Sequence, residues 1–341
     1  MFGFNLAIDL GTANTLIHVV GKGIVVCEPT VVARKKKSKE LLAVGSEAKR
    51  MLGKTPDTVE VVKPLSDGVI ADFDATSAML KHYFNEIHSH VGLLTRFIRP
   101  KVLIGIPGGV TEVEKRAVQD AAVSAGARSA LLVEEPLAAA VGAGIDITKP
   151  DGHLLVDIGG GTTEIAVISL SGIVINRSLR VAGEEMNQAI INSVRLSHGM
   201  FLGEATAEEV KINIGTAAVP EKEKVFVVRG RDMGKGLPRS LKLKSAEIRE
   251  VLTPVIQEIV AAINDVLEET PPELMADILK HGVVLAGAAS QLYGLDKVIS
   301  EATKIPVGVT EAPQNAVVRG LAKLLTNNRL LETLRIKRGL S

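Results

Sequence analysis

Two segments of the chain, Ile8-Asp9-Leu10-Gly11-Thr12-Ala13-Asn14-Thr15 and Val156-Asp157-Ile158-Gly159-Gly160-Gly161-Thr162-Thr163-Glu164, repeat nearly one pattern, with their aspartates 148 residues apart. Each follows an apolar run (4–10 and 153–158) and precedes a β-rich one (15–20 and 165–170), so each reads as a tight turn between two strands. One Asp-x-Gly turn alone is an ordinary hairpin. Two copies of matching length point instead to an internally duplicated fold. Glycine permits close backbone approach and positive φ, and threonine adds a hydroxyl, so successive N–H groups of each turn can face an anion. Asp9 and Asp157, at the strand ends, are placed to hold a water-ligated Mg2+ between the turns. Two such turns and one cation make a clamp for a polyphosphate.

Composition narrows the class. A length of 341 residues predicts two or more domains with sizeable cores. Forty Lys and Arg against 39 Asp and Glu give a net charge of +1, which points to no polyelectrolyte partner and no nucleic acid. Cys27 is the only cysteine, which excludes an internal disulfide framework and a cysteine metal cluster. The sequence has no apolar run of about 18 residues and no leader-like start, so the expected location is the cytoplasm. Aromatic residues make up 3% and tryptophan is absent, so the core must be Val, Ile, Leu and Ala, which suits α/β layers.

Along the first half, a meander over 4–32 leads to the charged run Arg34-Lys35-Lys36-Lys37-Ser38-Lys39, read as a solvated hairpin tip or a patch for acidic lipid. A helix is expected over 76–88 and a buried strand over 102–106. Pro107-Gly108-Gly109 then turns the chain, and Thr111 with Glu114 forms a capping box for a helix ending near Gly126. A strand over 131–133 follows, and Pro136 suits the first turn of the next helix. The second half repeats this plan from Asp157. It adds a helix over 207–214 capped by Thr206 and Glu209, and a polar, Gly-rich stretch over 229–236. A long helix from Ser245 is interrupted or kinked by Pro254. A strand at 283–285, the small-residue turn 286–290 and a helix at 295–303 form a backbone against which a nucleoside could lie.

Taken together, DLGTANT (9–15), ADF (71–73), IPGGVT (106–111), EEPLAAA (134–140), DIGGGTTE (157–164) and TAEEVK (206–211) resemble the actin, Hsp70 and sugar-kinase superfamily. Within it the similarity is to the MreB family of bacterial actin homologues, over essentially the whole chain. The resemblance implies an α/β actin-like ATPase fold: duplicated ribonuclease-H-like domains with two smaller inserted subdomains around a nucleotide cleft. The implied subdomains are IA (1–32, 66–145 and 320–341), IB (33–65), IIA (146–180 and 244–319) and IIB (181–243). Thr12, Ala13 and Asn14 would form the first phosphate loop, and Gly159, Gly160 and Gly161 the second. Asp9 and Asp157 would organise Mg2+ through water, and ATP or GTP would be the nucleotide. Glu208, Glu209, Val210 and Lys211 mark the ribose and base side, and Gly287, Ala288, Ala289 and Ser290 the adenosine side. Glu135 corresponds to the family's water-activating glutamate, with Thr162 positioning that water. For Glu208 and Lys211 the plainer reading is a surface ion pair. For Glu135 it is an acidic residue favoured by the helix dipole.

Three departures from the family pattern stand near this site. Gly-Gly-Gly-Ala reads Gly287-Ala288-Ala289-Ser290, a serine after Ile-Pro reads Gly108, and Gly-Asp-Glu-Met-Asp reads Gly183-Glu184-Glu185-Met186-Asn187. The family's function is mechanical. It implies ATP-bound subunits polymerising into paired antiparallel protofilaments on the inner face of the cell membrane, where they guide membrane proteins of the cell-wall elongation machinery and set cell shape. Leu93 and Leu94 match the family's membrane-inserting loop; they could equally cap the core. The tail over 330–338 reads as a basic amphipathic helix packed on the domain. Slow ATP hydrolysis coupled to filament dynamics is the expected chemistry. The alternatives are a small-metabolite kinase, for which no acceptor-site acid is identifiable, and a divergent non-hydrolysing filament paralogue. Fold alone does not separate them.

Overall fold

The two repeats become the central hairpins of two five-stranded sheets in the computed structural model, which describes residues 5–91 and 99–336. The first sheet runs Ser129–Glu134, Lys101–Ile106, Asn5–Leu10, Asn14–Val19, Gly23–Pro29. The second runs Val307–Val309, Val283–Ala286, His153–Ile158, Thr163–Ser169, Gly172–Leu179. In both, three parallel strands are followed by an antiparallel meander, so order and sense coincide. Asp9 aligns with Gly105 on the neighbouring parallel strand and Asp157 with Ala286, so each aspartate has a small residue beside it.

Strands covered on both faces must be apolar throughout. Leu6, Ala7 and Ile8, and Leu154, Leu155 and Val156, are fully buried accordingly. Between the sheets lie the helices Glu135–Ala143 and Ala316–Thr326, sharing one core with Ala7, Leu16 and Leu103 of the first sheet and Leu155, Ala166 and Ile168 of the second. The two helices approach backbone to backbone. A Cβ on Gly142 would collide with the Ala316 carbonyl, and one on Gly320 with the Ala138 carbonyl.

Two smaller sheets flank the cleft between the halves. One joins Leu41–Val44, Val32–Lys35 and Val59–Val62; the other joins Met200–Phe201, Val225–Asp232 and Pro238–Lys244. The polar, Gly-rich stretch 229–236 is the end of the strand Val225–Asp232 and the hairpin turn after it. Along that strand Val227, Arg229 and Arg231 face outward, alternating with the buried Val228 and the half-buried Gly230, and the charges hide the period of two.

Other expectations fare unevenly. Thr111 and Glu114 do form the capping box of the helix Glu112–Ser124. Thr111→Ala is expected to cost about 1 kcal/mol, read as a lowered urea midpoint at constant slope. Thr206 caps nothing, because the helix starts a turn earlier at Glu204 after the extended Gly203. Pro254 neither ends nor interrupts the helix Ser245–Glu269. It faces solvent, while Ile248, Leu252, Ile256 and Ile259 continue the buried stripe past it. The basic run is a hairpin tip with much of its charge paired: Arg34 with Glu60 at 2.6 Å, Lys35 with Glu40 and Lys39 with Glu60, both at 2.7 Å. Leu93 and Leu94, and the end of the tail from 337, lie outside the described residues. Among the described residues no helix is long and apolar enough to cross a membrane.

Candidate functional site

The two turns are closed by the same bond. Gly11 N–H donates to Asn14 O at 3.1 Å, and Gly159 N–H to Thr162 O at 2.9 Å. Their carbonyls are taken from behind. Thr30 reaches Gly11 O through its hydroxyl at 2.7 Å and Ala13 O through its N–H at 3.0 Å. The start of the helix Gly183–His198 does the same for the second turn, where Gly183 and Glu184 donate to Gly159 O and Gly160 O at 3.2 and 2.7 Å. Among the described residues, the N–H groups of Thr12, Ala13, Gly160 and Gly161 donate to no protein group, and all four residues line the cleft. With acceptors withdrawn and donors unspent, the cleft between the turns is suited to an anion.

Positive φ, one of the two uses of glycine expected from sequence, is not found here. None of Gly11, Gly159, Gly160 and Gly161 has positive φ. Instead the turns touch: a Cβ on Gly160 would fall on Ala13, and one on Gly161 would stand 2.8 Å from Thr12 Oγ1. The cleft around them has a volume of about 830 Å3, open mouth included, and is lined also by Asp9, Asn14, Glu135, Asp157 and Thr162.

Asp157 and Glu164, both buried, and Asp9 and Glu135, both half-buried, form one acidic group. Burial pushes the Asp9 carboxyl up to about 7. Burial, with the Asp9 and Glu164 charges adding, pushes Asp157 up to about 8. Glu135 is held well above the usual carboxylate range by burial and by Asp9, Glu164 and Asp157. Such repulsion is relieved by a cation. Among the described residues no three acids or histidines converge closely enough to ligate a metal directly, so Asp9 and Asp157 could hold one chiefly through water. Room for Glu135 is made by Gly105, where a Cβ would stand 3.1 Å from Glu135 Cγ.

The sign of the pH dependence follows. Asp9 and Asp157 have folded pKa values above the unfolded 3.8, so the folded chain binds more protons between about pH 4 and about pH 8 and loses stability as pH rises through that window. The metal-free chain is expected to melt lower at about pH 8 than at about pH 6, with Mg2+ recovering much of the loss. A flat profile in differential scanning calorimetry would count against the buried acids.

On the opposite wall Glu208 and Lys211 both line the cleft, whereas Val210 is buried in the core and Glu209 is exposed on the outer face. Glu208 and Lys211 do not pair with each other. Glu208 meets Lys49 at 2.6 Å, and Lys211 Nζ donates to Gly183 O at 2.7 Å. Gly287, at φ 83, and Ala288 line the cleft. A Cβ on Gly183 would meet Ala289 at 3.7 Å, while Ser290 is buried and donates to Gly287 O at 2.7 Å. Of the three departures at this turn, the serine is thus turned inward. Gly108 has a local explanation too. Asn176 fills the space a side chain there would need, and Gly108 N–H donates to Glu164 at 3.2 Å. Asn187 is 6% exposed, and its amide oxygen has no partner among the described residues.

Sequence reasoning missed the cleft mouth. Lys63 contacts Glu184 at 2.9 Å and also Glu204, and with Lys49–Glu208 it ties the two small sheets' regions together. Nothing local marks lysines whose partners lie more than 100 residues away. Lys63→Gln is expected to speed release of an anion from the cleft several-fold and to weaken the salt dependence of that release, measured by stopped-flow displacement.

Residues 3–333 match the family model described as MreB/Mbl protein. The chain belongs to the MreB/Mbl family. It is 46% identical over 327 residues to the cell shape-determining protein Mbl of Bacillus subtilis (strain 168), covering 96% of this chain and 97% of that one. It is 47% identical over 331 residues to the cell shape-determining protein MreB of Escherichia coli (strain K12), covering 95% and 94%. The crystal structure of MreB5 of Spiroplasma citri bound to ADP superposes with a TM-score of 0.91 at 37% identity, covering 97% of this chain and 99% of that one. MreB5 bound to AMPPNP matches equally. The fold of this family member is therefore actin-like.

Proposed function

We propose that this family member is an ATP-binding cytoskeletal protein that polymerises and determines cell shape. The carrying observation is the pair of facing turns whose N–H groups remain unspent beside buried acids. The names of the Mbl and MreB relatives and the ADP and AMPPNP bound by MreB5 support it. In this reading Thr12–Asn14 and Gly159–Gly161 hold the phosphates, Glu208 and Lys211 face the ribose and base, and Gly287 and Ala288 back the adenosine. Asp9 and Asp157 hold Mg2+ through water. When bound, that ion neutralises phosphate charge. Glu135 and Thr162 orient the attacking water, since phosphoryl transfer needs positioning and charge stabilisation more than a strong base. The four-part division into IA, IB, IIA and IIB at the boundaries given above belongs to the same reading. So do paired antiparallel protofilaments, attachment to the inner membrane face through Leu93 and Leu94, and guidance of the elongation machinery.

Electron microscopy of the purified chain with Mg-ATP on a lipid monolayer, against a control without nucleotide, tests the proposal. Nucleotide-dependent paired filaments are expected. A folded, ATP-binding chain that makes none would overturn the cytoskeletal reading in favour of a kinase.

A further inference from the structure

Glu164 has no role in the function proposed above, yet it is 1% exposed and stands opposite Asp157 in the second hairpin, two residues after Thr162. One carboxylate oxygen accepts the Gly108 N–H at 3.2 Å, and the other accepts the Ser178 hydroxyl. Gly108 belongs to the first half of the molecule and Ser178 to the second, so the carboxylate spans the junction at the base of the cleft. The Gly108 end is tightly built. Asn176, on the same strand as Ser178, lays its amide against Gly108, and a Cβ there would have to push that amide aside. Pro107 and Thr162 both border Gly68, whose N–H donates to Thr12 Oγ1 at 2.9 Å. Strand Lys101–Ile106, which leads into this loop, carries the Gly105 that makes room for Glu135. A closed path of contacts thus runs from Thr12 through Gly68, Pro107 and Gly108 to Glu164, and along its hairpin back to Thr162.

We infer that Glu164 is a positioning residue for hydrolysis: it pins the Pro107–Gly108 loop to the second turn's hairpin and so fixes the distance between Glu135, on one half, and Thr162, on the other. The inference rests on the ATPase reading. It adds the residue that holds the two halves of the reacting geometry in register.

The test separates chemistry from binding in the full chain with Mg-ATP, using single-turnover phosphate release and fluorescent-nucleotide affinity. Glu164→Ala is expected to lower kcat about 100-fold, the effect of a displacement near 1 Å, with nucleotide Kd changed less than about threefold. Glu164→Gln, which keeps an acceptor for the Gly108 N–H, is expected to recover most of that loss. Ser178→Ala, which frees one end of the carboxylate, is expected to lose about tenfold in kcat at unchanged Kd and melting temperature. Should Glu164→Ala not fold, Ser178→Ala carries the test. Parental kcat in Ser178→Ala or Glu164→Ala overturns the inference, as does a Glu164→Gln no better than the alanine variant. A parent chain that binds ATP but releases no phosphate overturns the hydrolysis reading and this inference with it.

Discussion

Glu135→Ala is expected to slow phosphate release about 100-fold or more while leaving Mg-ATP affinity within about threefold. Glu135 opens its helix with its side chain in the space left by Gly105, below the two turns and among three other acids. It contributes no hydrogen bond to the turns, so their grip on phosphate survives its loss. In the function proposed, what is lost is the group that orients water. Asp157→Ala is the contrasting case and is expected to abolish Mg2+-dependent nucleotide binding, because Asp157 belongs to the strand that ends in the second turn. Phosphate release and nucleotide titration on the two variants separate the roles. Unchanged release by Glu135→Ala would remove it from the chemistry, and unchanged Mg2+ dependence in Asp157→Ala would remove the aspartate from the metal.

Gly320→Val is expected to destabilise the chain by about 3 kcal/mol or more, visible as a lower urea midpoint. Even one added carbon at Gly320 would overlap the Ala138 carbonyl and stand 3.0 Å from Gly142 N. The neighbour is helix backbone, which cannot rotate away as a side chain could. The two helices would have to separate, opening the core shared by both sheets. Gly109→Ala is the control. Nothing lies within 4 Å of a Cβ there, so the expected cost is only that of its positive φ, about 1 kcal/mol.

The fold was legible because duplication writes itself twice: two aspartate turns with flanking apolar runs suffice to place both central hairpins. The capping box at Thr111 was legible for a similar reason, since its partners are three residues apart. What sequence hid was of two kinds. Local rules were incomplete at Pro254, which the helix runs through while the buried stripe continues on its other face, and in 229–232, where outward-facing charges masked a strand. Contacts at long sequence separation carried no local mark at all. Lys63 with Glu184, Gly108 with Glu164, and the abutment of Gly160 on Ala13 exist only once the halves are assembled. The site residues named from motifs nevertheless gather around one cleft, with Glu209 and Val210 turned away from it and Ser290 buried beside it.

The helix Ala316–Thr326 packs on strands Asn5–Leu10 and Asn14–Val19 although some 300 residues separate them. During synthesis the first sheet therefore emerges before one of the two helices that cover this face. A nascent chain halted before Ala316 lacks Val317, Val318 and Leu321 of the core that Ala7, Leu16 and Leu103 share. The first sheet thus shares its core with a helix from far along the chain, and the stretch that holds its five strands lacks part of that core.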